Sequence, residues 1–207
     1  MIHLMRQGKN IFRPIAFAIS ALCIVLTMID CPRPGELFSY FTIQSNVMCL
    51  ILLFFELRKE PPALFRGLAV VCISLTFLVY NFMLRPADFT IANMGNIKNI
   101  SNLFAHYLVP ACVWIDYLLF SPKGGMKAYY PLIWICWPIL YLAYIMLVYK
   151  PMGGTFIVEG KLCTVPYFFL DIEVLGAGGV TLWCIAIAAV ILLLSYLFLL
   201  LDRLLSR

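Results

Sequence analysis

Two side chains in this sequence have the chemistry of an acyl-transfer pair. Thr42 offers a hydroxyl and His106 an imidazole, and each stands a few residues inside a long apolar run. An imidazole that removes a hydroxyl proton while the oxygen attacks an ester carbonyl is the minimum machinery for nucleophilic catalysis. Histidine is costly in an apolar segment, and the only other one is His3, near the N-terminus. A blander role stands beside this one: a threonine in an apolar helix commonly bonds its own backbone or glues two helices together.

The neighbours of the pair are patterned. Thr42, Ser45 and Asn46 recur at i, i+3 and i+4, which sets them on one face of a helix. Cys49 continues that face one turn deeper, and Gln44 points elsewhere. Pro110 removes the helix hydrogen bond to the carbonyl of His106, so the chain is expected to bend there. Asp116 lies some 15 Å further along the helix than His106 and about 80° around it, too far to orient the imidazole. Asp171, which precedes the last apolar run, is the better-placed carboxylate. Ser45, Asn46 and Asn81 are candidate donors to an oxyanion.

The elements that must position these groups are membrane-spanning helices. The 207 residues are 64% hydrophobic and 12% charged, against about 25% charged in a soluble domain. That polar content cannot clothe a water-soluble globule. Six apolar runs, near 11–30, 37–57, 67–84, 103–120, 129–149 and 174–201, are each long enough to cross a bilayer. The expected fold is therefore an all-α integral membrane protein, one six-span domain over residues 1–207. Basic residues before the first run resemble a signal peptide, but no small-residue cleavage site follows, so that run is expected to be retained.

The net charge of +5 does not indicate nucleic acid, because Lys and Arg sit in small groups between apolar runs. They read as topology signals. Arg6, Lys9, Arg13, Arg58, Lys59, Arg66, Lys123, Lys127, Arg203 and Arg207 fall on the side of the termini, and Arg33, Arg85, Lys98, Lys150 and Lys161 on the other. The richer side stays cytoplasmic, giving N-in, C-in. On this topology Thr42 and His106 open helices running the same way, at a matched depth roughly 5 to 8 Å below the outer boundary. The outer loops also hold Asp88 and Glu159. The longest of them, about Lys150 to Glu173, carries Gly153-Gly154 and Val165-Pro166-Tyr167-Phe168-Phe169, which allow it to fold back toward the membrane; a plain surface loop is the alternative.

Other chemistries lack their motifs. The two histidines fall on opposite sides, which removes a bis-His haem, and no His-Glu-x-x-His or Cys-x-x-Cys offers a metal site. No Gly-x-Ser-x-Gly elbow, phosphate-cradling loop or dinucleotide fingerprint is present. No cofactor and no metal is expected. Six of the eight cysteines fall in apolar runs as small hydrophobes; Cys31 and Cys163 fall in outer loops, where an oxidising environment would let them pair.

Phe41-Thr42, then Asn102, His106 and Pro110, then Pro166-Tyr167-Phe168-Phe169-Leu170-Asp171, resemble in type and order the androgen-induced family of membrane threonine hydrolases and its bacterial six-span relatives. Gln44, Ser45 and Asn46 look more like the bacterial branch. The resemblance implies a Thr nucleophile and a His base acting on fatty acid esters of hydroxy fatty acids, which places these roles on Thr42 and His106. It also implies a bacterial plasma membrane and a lipid as substrate, and the topology above sets the polar pocket toward the outer leaflet. The alternative is a non-enzymatic lipid or small-molecule binding or transport protein using the same pocket.

Overall fold

The computed structural model describes residues 2–31, 33–86, 94–158 and 161–206; Asp88 and Glu159, placed in outer loops above, lie outside them. Six helices long and apolar enough to cross a membrane follow in order: α1 (Ile2–Asp30), α2 (Phe41–Arg58), α3 (Ala63–Leu84), α4 (Ile97–Phe120), α5 (Tyr130–Tyr149) and α6 (Ile172–Leu204). The outward positions of α1, α5 and α6 carry exposed Ile, Leu and Val, the inverse of a soluble surface and the dress of a membrane protein.

The helices begin where local chemistry allows. Asn96 caps α4, its side chain accepting from the Lys98 N–H, so the helix begins at Ile97, six residues ahead of the expected start near 103. Asp171 caps α6 by accepting from Glu173 and Val174 N–H. Near its start α6 is broken at Gly176, whose φ of 65° is one that side-chain-bearing residues rarely adopt.

Helices α1 to α4 form the packed centre, with α1 against α2 and α4, α2 against α3, and α6 along α3. Helix α5 is the loosest member. Its first turn, Tyr130–Trp134, packs on α3 and α6, while Cys136–Tyr144 makes no comparably close approach to α6. Pro138 has no N–H for the carbonyl of Trp134, and the helix is interrupted there at Ile135. Its far end is tied to the start of α2 by two phenols: Tyr141 donates to the Ser39 carbonyl at 3.1 Å, and the Tyr144 hydroxyl lies 3.1 Å from that of Ser39.

One close approach anchors the near end of α5. Trp134 is fully buried over Gly67, and a Cβ on that glycine would lie 2.0 Å from the indole. The indole N–H donates to the Leu64 carbonyl at 2.8 Å. Gly67→Ala should therefore displace Trp134 and lower stability by about 1–3 kcal/mol through overpacking, read as a fall in the thermal midpoint in detergent. An unchanged midpoint would show that Trp134 is not held there.

The α5–α6 connection is structured. An antiparallel hairpin, β1 (Phe156–Val158) with β2 (Lys161–Cys163), pairs Phe156 with Cys163. Phe156 is fully buried between the rings of Tyr40 and Tyr149. Beyond the hairpin, Val165, Tyr167, Phe169 and Leu170 are buried as well, so the loop folds into the bundle. Cys31 is a thiol not joined to Cys163, and its Sγ donates to the Arg33 carbonyl.

Candidate functional site

Between α2, α3, α4, α5 and α6 lies a cavity of about 140 Å³. Thr42 and His106 both line it, together with Thr76, Tyr80, Tyr141 and Tyr167 and a larger set of aliphatic side chains. Thr42 is in the first turn of α2, where helix N–H groups have no partner within the helix. The Tyr167 phenol takes up that position, hydrogen-bonded with the Thr42 side chain and with the backbone of Phe41 and Thr42. Burial pushes this phenol above its ordinary range, only partly offset by those bonds, so it remains protonated at neutral pH.

His106 comes to the cavity from a stretch of widened turn. Residues Phe104–Leu108 are π-helical, with the Val109 N–H reaching back to the Phe104 carbonyl. Pro110 follows, unable to bond the His106 carbonyl, so the register relaxes here. Tyr80 starts another π-helical segment, Tyr80–Leu84 of α3. The two rings stack at 3.7 Å between centroids with planes 9° apart. The imidazole also meets the Thr76 backbone. Its Nδ1 is buried and has no hydrogen-bond partner.

The other expected site residues lie outside the cavity lining. Asn46 spends both amide hydrogens on the carbonyls of Thr42 and Ala105, at 2.8 and 3.2 Å, leaving none for an oxyanion. Ser45 bonds the Thr42 carbonyl and the Thr76 hydroxyl. Asn81 donates to the Phe77 carbonyl and accepts from Tyr107. Asp171 caps α6 and does not orient the imidazole, which Tyr80 steadies instead. Ser45 and Asn46 thus tie α2 to α3 and α4, and the polar groups that face the cavity beside Thr42 and His106 are phenols and Thr76, which pattern reading missed. Pro166-Tyr167-Phe168-Phe169 was visible as a motif, but a phenol reaching the start of a distant helix leaves no trace in spacing.

A second cluster was missed for a different reason. At the end of the bundle that carries the termini, Arg13 Nε lies 2.6 Å from Asp116 Oδ1 and its Nη2 2.6 Å from Glu56 Oε2. Arg66 Nε lies 2.9 Å from Glu56 Oε1. All four residues are at most 4% exposed. Glu60 extends the network to Lys9 and Arg66 at 2.6 and 2.9 Å, and Ser121 donates to Asp116. Arg13 and Arg66, counted above as topology signals, together with Glu56 and Asp116 lock α1, α2, α3 and α4 together.

The arrangement supplies a hydroxyl, an unengaged imidazole nitrogen and phenolic donors around an apolar space. Among the described residues no three His, Cys, Asp or Glu gather as a metal cage, and no hydrogen bond joins Thr42 to His106. In comparison with known proteins, the chain matches no family model, no curated protein and no solved structure.

Proposed function

We propose that the chain is an integral membrane hydrolase of lipid esters, of the fatty acid ester of hydroxy fatty acid type, with both termini cytoplasmic in a bacterial plasma membrane and the cavity toward the outer leaflet. One observation carries the reading: Thr42 and His106, from separate helices, line the same apolar cavity, and the imidazole keeps a buried nitrogen without a partner. In the first half-reaction that nitrogen takes the Thr42 proton as Oγ1 bonds the ester carbonyl carbon. The tetrahedral oxyanion collapses, the bond to the alcohol oxygen breaks, and the imidazolium returns the proton to that oxygen. Water then attacks the acyl-threonine with the same base, releasing the acid and restoring the hydroxyl. Tyr167 replaces Ser45, Asn46 and Asn81 as the candidate donor to the oxyanion, since the one hydroxyl hydrogen of Tyr141 is spent on the Ser39 carbonyl.

The absence of a direct Thr42–His106 hydrogen bond favours a second reading, a lipid-binding or transport protein that holds a head group without cleaving it. A lipid fluorophosphonate separates the two. The hydrolase should gain the intact mass of one adduct, lost in Thr42→Ala. Reversible binding with no adduct and no turnover would support the binder.

A further inference from the structure

The cavity is closed along the helix axes and thin-walled to one side. Toward the far end the loop covers it with Tyr167, Phe169 and Leu170, each less than 10% exposed. Toward the terminus-bearing end it is lined by Ile191 of α6, which is buried. The remaining wall comes from Pro138 and Ile139 of α5 and from Cys184, Ile187 and Ala188 of α6. These five are half-buried or, like Ile139 at 55%, exposed. Pro138 and Ile139 belong to the part of α5 beyond the interruption at Ile135, which does not approach α6 as closely as the first turn does.

Size points the same way. A space of 140 Å³ is close to the roughly 150 Å³ cavity that takes up benzene, and well below the 300–1,000 Å³ that encloses a drug-sized ligand. It holds one carbonyl and a short stretch of chain. The rest of a lipid must lie outside, and the side on which the wall is thin is apolar.

We propose that a single acyl chain reaches the cavity sideways, between α5 and α6, so that its carbonyl stops beside His106 and Thr42 while its tail stays in the gap between these helices. The occupant is an aliphatic chain ending in a carboxyl or ester: the gap offers only apolar contacts, and the polar groups stand at the inner end. This goes beyond the hydrolase reading and does not need cleavage, since a binder would admit its ligand the same way.

The test uses the full chain in phosphatidylcholine nanodiscs with palmitate carrying a diazirine on its tail, cross-linked by light and mapped by peptide mass spectrometry. Adducts should gather on Ile139, Ile187 and Ala188, and unlabelled palmitate at ten times its Kd should reduce them about tenfold. Adducts on Leu182 and Leu193, exposed residues of α6 outside the cavity lining, should not respond to competition. Ala188→Trp should remove the competable adducts, whereas Ile185→Trp, beside it but outside the lining, should leave them. Thr42→Ala should keep them, so a failed hydrolase assay and a failed access route are told apart. Competable adducts on another pair of helices, or none at all, would overturn the proposal.

Discussion

Thr42→Ala and His106→Ala should each reduce ester turnover by about 10⁴-fold or more, and the double variant should be no slower than the worse single one. Nucleophile and base act as a unit, so removing either removes the step and the second loss adds nothing. Stability separates this from structural damage. Thr42→Ala deletes one hydroxyl and its bond to Tyr167, about 1 kcal/mol, and the protein should still be recovered folded. His106→Ala also removes a ring stacked on Tyr80, so His106→Gln is the better-folded companion and should be equally inactive. The measurement is single-turnover release from a fluorogenic acyl ester by purified protein. Partial losses that add in the double variant would mean that both residues only hold helices together, and the binding reading would then stand.

The largest loss of stability should come from breaking the buried ion network. Asp116→Ala leaves Arg13 with Glu56, and Glu56→Ala leaves Arg13 with Asp116 and Arg66 with Glu60, so each change leaves the buried group, at most 4% exposed, with one positive charge in excess. An uncompensated buried charge costs about 3–5 kcal/mol, which in a chain of this size lowers the thermal midpoint by on the order of 10 °C. Arg13→Met with Asp116→Leu should recover much of that, because an apolar pair of similar volume carries no unmatched charge. Burial pushes the Glu60 carboxyl up, but the hydrogen bond and charge of Lys9 outweigh it, with Glu56 and Arg13 contributing, and hold the group below its usual range. A lowered carboxyl pKa stabilises above the unfolded value and loses that contribution as pH falls through the folded one. Glu60 is exposed enough for solvent to weaken its share, so Glu60→Gln should flatten only the acid limb of the midpoint against pH. A wild-type midpoint in Asp116→Ala would refute the lock.

What the sequence alone determined about this protein was periodic and local. Six apolar runs of spanning length appear as six helices because a helix is the form in which an apolar segment satisfies its own backbone. The hydrophilic face of Thr42, Ser45 and Asn46 followed from 3.6 residues per turn. Local reading also held a signal that was misjudged: an Asp before an apolar run is an N-cap, and Asp171 serves α6 in that way, not the imidazole.

Tertiary structure decided the rest, because it depends on which helices touch and at what rotation. Asn46 looked like a free donor until α4 brought the Ala105 carbonyl against it. Arg13 and Arg66 read only as topology charges, and only the packing of α1 to α4 joined them with Glu56 and Asp116 in one buried network. Tyr167 meets Thr42 because its loop folds into the bundle, and His106 meets Tyr80 because two π-helical turns face each other across α3 and α4. Helical spacing specifies a face; the partner of that face is set by long-range packing, which no short window of sequence contains.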